Sequence, residues 1–191
     1  MARNSISTKV SGSKTVCAAM TIFLGLALSL VGCDRASDSG SEDTGGVAKL
    51  DYGTKVNFGQ GGNSGAFKVS GWSKTEEKFT WSEGSSSVLK MEIAPSNDTI
   101  VLKMTIAALI KEPELPFQPV AVSVNGQKIA DWQVGNTAVF SAAIPHDIAA
   151  KGGMLTITFQ TPKATSPKDL GLSPDPRTLG ICCLDFELAK G

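Results

Sequence analysis

The chain has 191 residues, with 18 Lys and Arg against 18 Asp and Glu and a single histidine. It has no basic cluster interleaved with aromatic residues, so no nucleic-acid partner is predicted. One histidine cannot supply a His-rich zinc site and makes a Ser-His-Asp triad hard to assemble, so no metal, cofactor or triad is predicted.

The first segment with a clear pattern is an apolar run from Val16 to Val31, preceded by Arg3, Lys9 and Lys14. The run is shorter than the roughly 20 residues that a membrane-spanning helix needs. It ends in Leu-Val-Gly-Cys, which resembles the lipobox of bacterial lipoproteins. The resemblance implies cleavage after Gly32, lipidation of Cys33 and insertion of the attached lipid into a membrane.

Three regions follow from this prediction: a signal peptide at 1–32, the lipidated cysteine and a tether at 33–46, and one domain at 47–191. The tether is rich in Ser, Gly and acidic residues and has no large apolar side chain, a composition typical of a flexible linker. Removing the signal would leave 15 basic against 18 acidic side chains. The predicted location is the bacterial cell membrane facing the periplasm. Asp34 resembles the enteric inner-membrane retention signal, and the outer membrane is the alternative.

From Val47 onward, apolar residues recur with a period of two, which predicts half-buried strands. Asn125-Gly126 lies between two such runs and predicts a type I′ hairpin turn. The predicted strands are 47–52, 55–58, 66–69, 79–82, 87–94, 99–107, 120–124, 128–134, 138–144, 154–160 and 180–188. In the last strand, we expect Cys182, Leu184, Phe186 and Leu188 to face the core.

Helical signal is confined to a short segment at 144–150 and a turn near 167–170. About ten short strands separated by turn residues predict an all-β fold, an antiparallel β-sandwich of the jelly-roll type. Two Pro-rich insertions, 111–119 and 161–179, interrupt the strands. Long loops in a compact domain are usually functional or disordered, so a site is expected beside them.

The adjacent Cys182 and Cys183 are expected to point to opposite faces of a strand and to pack as small apolar residues. His146 follows a proline and is expected at the surface or a helix end. A glycosidase would need two carboxyl groups about 5 to 9 Å apart. Its candidates lie in loop-like segments: Glu76, Glu83, Asp169 and Asp175.

A Gly-rich stretch at 58–65 precedes Trp72 and Trp81. Tryptophan rings can stack on sugar rings while Asn, Ser and Glu contact hydroxyl groups, so this region predicts a saccharide site. The alternative is structural: the rings close one end of the sandwich, and the glycines supply positive φ in turns.

Two motifs carry a family resemblance: G-W-S-x-x-E-x-x-x-T-W-S-x-G at 71–84 and S-P-x-x-L-G-x-S-x-D-x-R-x-L-G at 166–180. Together with V-x-V-N-G at 122–126, they resemble an uncharacterised β-sandwich module at the C-terminal end of bacterial membrane glycosyltransferases and phosphoglycerol-transferase-like envelope proteins. The resemblance covers about 56–188. Thr75 stands where the module usually has proline, and Phe79 where it usually has glycine.

The resemblance implies a non-catalytic, carbohydrate-binding-type domain beside envelope glycan or glycolipid synthesis. The residues that match the motifs or the Gly-rich stretch become ligand-binding candidates: Asn63, Ser64, Trp72, Glu76, Trp81, Asp175 and Arg177. Arg177 suits a phosphate or carboxylate on a glycan. The alternative is an internal salt bridge to Asp175, Glu76 or Asp169.

Three functions are therefore predicted in order. The first is a lipoprotein that binds a saccharide or glycolipid, accessory to envelope polysaccharide synthesis, modification or export. The second is a structural adaptor that docks a membrane glycosyltransferase through the same surface. The third is a glycoside hydrolase that uses Glu76 with another acid.

Overall fold

The computed structural model describes residues 47–191. The predicted signal peptide, Cys33 and the tether lie outside the described residues. Ten strands form two antiparallel sheets of five strands each. The strands are β1 (Val56–Asn57), β2 (Lys68–Ser70), β3 (Thr80–Glu83), β4 (Ser86–Ile93), β5 (Ile100–Ala108), β6 (Gln118–Val124), β7 (Gln127–Val134), β8 (Ala138–Ala143), β9 (Gly153–Gln160) and β10 (Leu179–Lys190).

The first sheet has the order β1-β10-β5-β8, with β3 also paired to β10, and the second has the order β2-β4-β9-β6-β7. From β3 to β10 the chain crosses between the sheets at every step except the β6–β7 hairpin. This strand order is that of a jelly roll, two interlocked Greek keys closed into a sandwich. The predicted fold class is confirmed.

The core lies between the two sheets, because alternate side chains of each long strand point inward. On β5, Ile100, Leu102, Met104 and Ile106 are fully buried. Their partners include inward residues of β4, β6 and β9. Period-two patterning was therefore a reliable guide to which face of these strands is buried.

The hairpin between β6 and β7 has the predicted turn. Asn125 and Gly126 have φ of 47° and 84°, the positive values that a type I′ turn requires. The Asn125 side chain also accepts a hydrogen bond from the Thr156 amide at 2.8 Å, which fastens the turn to β9. The predicted helix is present as α1 (His146–Lys151), which ends at Gly152 with φ of 62°.

Two predictions about strands were wrong. The predicted strand at 47–52 is only an isolated bridge between Lys49 and Glu92, followed by a turn at Tyr52 and Gly53. In β10, the pairing with β5 shifts between Cys183 and Asp185. This bulge reverses the alternation, so Cys183, Phe186 and Leu188 join the main core, whereas Cys182 and Leu184 lie on the opposite face. A β-bulge adds one residue to a strand, and the period-two pattern of apolar residues does not indicate where it occurs.

The two cysteines diverge as predicted. Cys183 belongs to the main core, and Cys182 packs with Trp81, Ala107 and Leu179 in a second apolar cluster. Burial raises the pKa of the Cys183 thiol far above its ordinary value, so the thiol stays protonated and unreactive at neutral pH.

Candidate functional site

Two loops from distant parts of the sequence meet beside β3. The first, residues 71–79, folds back on itself: the Ser73 amide donates to the Trp81 carbonyl at 2.9 Å, and the Glu76 amide to the Phe79 carbonyl at 2.8 Å. Glu76 therefore lies at the tip of a hairpin that ends in β3. Its carbonyl accepts a hydrogen bond from the Gln60 amide at 3.0 Å, which connects the Gly-rich stretch to this tip.

The second loop, residues 161–178, has internal hydrogen bonds despite its prolines. The Lys168 amide donates to the Asp175 carbonyl at 3.0 Å, and the Asp169 amide donates to the Ser166 hydroxyl at 3.0 Å. A bridge between Thr165 and Leu179 closes the base of the loop. The loop therefore presents its side chains from a fixed backbone.

Pairing of β3 with β10 brings the two loops together. The two strands are antiparallel, with Glu83 opposite Leu179 and Trp81 opposite Cys182, so the segment before β10 starts beside the C-terminal end of β3. Residues 72–73 pair with residues 81–82 of β3, so both loops lie next to this strand. This juxtaposition places Glu76 beside Arg177, 101 positions later in the chain.

The guanidinium of Arg177 forms ion pairs with two carboxyl groups, and we call these three residues the Arg177 cluster. Its Nε donates to both Asp175 carboxylate oxygens at 3.2 and 3.0 Å, and its Nη2 donates to Asp175 Oδ2 at 2.7 Å. Nη2 also contacts Glu76 Oε1 at 3.4 Å. The side chains of Asp175, Arg177 and Glu76 are 25%, 34% and 38% exposed, so all three are accessible to a ligand.

The electrostatics of the Arg177 cluster follow from these contacts. Hydrogen bonds from Arg177 hold the pKa of Asp175 below its ordinary value, and Asp175 in turn raises the pKa of Arg177. Both groups are therefore charged at neutral pH. A general acid needs a raised pKa, so Asp175 is unsuited to protonate a glycosidic oxygen.

The internal salt bridge considered for Arg177 is present. Because Nε and Nη2 already donate to carboxylates, a phosphate or carboxylate ligand could bind the guanidinium bidentately only by displacing Asp175 or Glu76. The cluster has a formal charge of −1, which further disfavours an anion. Nη1 makes no hydrogen bond among residues 47–191, so its two N–H donors remain on the same guanidinium that two carboxylates contact.

Trp72 and Trp81 pack against different apolar clusters: Trp72 is partly buried against the main core, and Trp81 belongs to the second apolar cluster. The Trp72 indole donates to the Val88 carbonyl at 2.9 Å, and its ring lies 5.2 Å from that of Phe58. Trp81 is 7% exposed and meets Phe79 edge-on at 6.0 Å. Both rings therefore make packing contacts with aromatic and other apolar side chains.

Asn63 and Ser64 shape the Gly-rich loop. The Asn63 side chain accepts a hydrogen bond from the Asn57 amide at 2.9 Å, and Ser64 is buried at the start of a 3₁₀ turn, Ser64–Ala66. Gly61 has φ of 74°. A Cβ on Gly59 would lie 2.8 Å from the Glu77 carbonyl oxygen. The glycine therefore allows the backbone at position 59 to approach the backbone at Glu77, next to Glu76.

Sequence reasoning missed Lys68 at the first position of β2. Its ammonium donates to the Thr75 hydroxyl at 3.0 Å, next to Glu76 in the chain, and desolvation lowers its pKa. A single lysine on a short edge strand has no pattern that would mark it. Among residues 47–191, no group of three or more His, Cys, Asp or Glu could hold a metal ion. No helix in the same range is long and apolar enough to cross a membrane.

No family model and no curated protein matches the sequence. Several solved structures have a similar overall arrangement. One is CsCBM6-3 from Clostridium stercorarium, solved in complex with cellobiose, with a TM-score of 0.47 and 8% identity over 75% of this chain and 98% of that chain.

A second similar structure is the CBM36-1 domain of a multidomain xylanase from the hindgut metagenome of Trinervitermes trinervoides, with a TM-score of 0.44, 10% identity, and coverage of 72% of this chain and 97% of that chain. A third is the C-terminal CBM6 of LamC from Zobellia galactanivorans, with a TM-score of 0.44, 8% identity, and coverage of 72% and 98%. Because these identities and TM-scores are low, the similarities assign neither a ligand nor an activity to this chain.

Proposed function

We propose that this protein is a membrane-anchored envelope lipoprotein whose β-sandwich binds a saccharide without cleaving it. The observation that carries the proposal is the Arg177 cluster, where two loops bring the guanidinium of Arg177 together with the carboxylates of Glu76 and Asp175 and leave the two Nη1 N–H groups without a partner among residues 47–191. A sugar hydroxyl both donates and accepts hydrogen bonds, so vicinal hydroxyl groups can bridge such alternating donors and acceptors.

The charge of the cluster favours a neutral saccharide over an acidic one. An anionic sugar would have to approach the carboxylates of Glu76 and Asp175, and the positive charge of Arg177 is already paired with both of them. Charge-assisted hydrogen bonds that a hydroxyl donates to a carboxylate are stronger than neutral ones, which suits recognition of an uncharged hydroxyl-rich ligand.

The envelope setting comes from the sequence. The lipobox places the predicted lipid on Cys33, and the tether at 34–46 would hold the sandwich near a membrane surface. The two motifs resemble a module of envelope glycosyltransferases, so we assign the domain an accessory role in polysaccharide synthesis, modification or export.

Glycan-array binding by the full-length chain in detergent micelles tests the saccharide site. We expect neutral glycans to bind, and Arg177→Gln to weaken binding about tenfold, since one hydrogen bond with a charged group contributes roughly 1.5 kcal/mol or more. Glu76→Gln should weaken binding less, because its amide can still accept a hydrogen bond.

The matched control is Asp131→Asn, which removes an exposed carboxylate on β7. Binding that is equal in the wild type and in Arg177→Gln would refute the site. Absence of binding to every glycan, combined with recovery of a membrane glycosyltransferase by the wild type but not by Arg177→Gln, would favour the adaptor function.

A further inference from the structure

A groove lies on the outer face of the first sheet and shares no residue with the Arg177 cluster. It has a volume of about 230 Å³ and is lined by Lys55, Lys103, Thr105, Val139, Asp185 and Glu187. We call it the sheet-face groove. These residues belong to β5, β8 and β10 and to the segment before β1, none of which contributes a residue to the Arg177 cluster.

Strand register explains why these side chains converge. Thr105 on β5 lies opposite both Val139 on β8 and Asp185 on β10, which forms one row across three strands. Lys103 lies opposite Glu187 in the next outward-facing row. The intervening positions face the core, so both rows point to solvent and their side chains lie close together.

The ion pairs in the groove leave hydrogen-bonding capacity unused. Lys55 Nζ lies 3.6 Å from Asp185 Oδ1, and Lys103 Nζ lies 3.8 Å from Glu187 Oε1. Both distances exceed the usual N–H···O hydrogen-bond length of about 2.7–3.2 Å. Only Asp185 Oδ1 has a direct partner here, the Thr105 hydroxyl at 2.8 Å.

We propose that the sheet-face groove is a second ligand site, which takes a neutral polyhydroxylated molecule the size of one hexose. Two ammonium groups face two carboxylates, so the groove has no formal net charge and offers donors and acceptors in alternation. Its volume is below the roughly 300 Å³ of pockets for drug-sized ligands, which suits one sugar ring.

Val139 supplies the apolar contact. Its side chain is one of the few large hydrophobic groups exposed in the described domain, at 67%. A pyranose ring can place its C–H face against this valine while its hydroxyl groups reach Lys103 and Glu187. The inference rests on the proposed function in that both sites take hydroxyl-rich ligands, but it requires none of the residues of the Arg177 cluster.

Nuclear magnetic resonance on the full-length chain in detergent micelles can observe the two sites separately. The Val139 methyl signals report on the sheet-face groove, and the Arg177 Nε–H signal reports on the Arg177 cluster. The probes are D-glucose, D-galactose, D-mannose and N-acetyl-D-glucosamine. We expect at least one of them to shift the Val139 signals in a saturable manner.

Lys103→Met keeps the aliphatic stem and removes the ammonium, so it should weaken this response about tenfold. Thr105→Val should weaken it less, because Thr105 acts through Asp185. Lys128→Met on β7 is the matched control and should leave the response unchanged.

The possible outcomes separate the two proposals. Shifts of Val139 that persist in Arg177→Gln support the groove even if the Arg177 cluster binds nothing. Failure of all four sugars to shift Val139, or equal shifts in the wild type and Lys103→Met, would overturn the groove proposal whatever happens at Arg177. Tighter binding of glucose 6-phosphate than of glucose would overturn the assignment to a neutral ligand.

Discussion

Asp175 performs two structural tasks with one carboxylate. It accepts a hydrogen bond from the Arg177 amide at 2.9 Å while it pairs with the Arg177 guanidinium. The carboxylate thereby fixes both the backbone turn and the side-chain orientation of its partner. A ligand that binds at Nη1 meets a guanidinium whose rotamer is already set, which lowers the entropic cost of binding.

This pairing makes a contribution to stability that depends on pH. The folded-state pKa of Asp175 is lowered, so its contribution is complete above the unfolded-state pKa of about 3.9 and is lost as pH falls through the folded-state value. We expect Asp175→Asn to reduce the free energy of unfolding at pH 7 by about 1 kcal/mol, a modest figure because the pair is partly exposed.

Urea denaturation of the wild type and Asp175→Asn from pH 7 to pH 2 would measure the effect. The difference between the two proteins should shrink below about pH 4. Asp131→Asn removes an exposed carboxylate and serves as the control. A difference that stays constant across this range would contradict the ion-pair account.

At the scale of elements, the turn at Gly71 sets the course of the hairpin that carries Glu76. Gly71 has φ of 71°, and a Cβ there would collide with the Ser86 carbonyl oxygen. Its own carbonyl accepts a hydrogen bond from the Glu83 amide at 2.8 Å. The glycine is therefore required both for its backbone conformation and for close approach of two backbone segments.

We expect Gly71→Ala to destabilise the domain by about 2–4 kcal/mol. Two costs add: the strain of a left-handed backbone conformation at alanine, and the collision of the new Cβ with the Ser86 carbonyl oxygen. Gly61→Ala is the matched control: its φ is also positive, but no atom lies within 4 Å of the added Cβ. The control should cost only about 1 kcal/mol. Thermal denaturation followed by circular dichroism would compare them, and equal losses would show that the collision is relieved by backbone movement.

At the scale of the whole molecule, the sandwich is closed along one side by Trp132. This residue of β7 donates from its indole to the Ser141 carbonyl of β8 at 3.3 Å, which links the second sheet to the first. Its ring also approaches Phe140 and Phe159 at 5.5 and 6.3 Å. The contact covers part of the β8 edge, and covered edges resist pairing with other chains.

The predicted lipid anchor also concerns the whole molecule. We expect Cys33→Ser to abolish incorporation of radiolabelled palmitate and to shift the protein from the membrane to the soluble fraction, because no thiol would remain at the lipobox position. Cys17→Ser changes the other cysteine of the same segment and should leave both results unchanged. Palmitate labelling that persists in Cys33→Ser would refute the lipobox assignment.

The sequence alone determined the fold class, the positions of ten strands and the Asn125-Gly126 turn. These features depend on local patterns, namely the period-two burial of strands and the backbone preference of a two-residue turn. It also singled out Glu76, Asp175 and Arg177 by motif, and named the salt bridge as one of two roles for Arg177. It did not predict the β10 bulge, because the residue types in this strand do not reveal where its pairing with β5 shifts.

Only the tertiary structure decided which candidates share a site. Pairing between β3 and β10 joins segments about 100 residues apart and brings Glu76 to Arg177, whereas Trp72 and Trp81 pack against two separate apolar clusters. The sheet-face groove depends on the register of three strands and on distances between charges of opposite sign. These contacts arise from pairing between strands that are distant in the sequence. The spacing of residues along the chain therefore does not predict them.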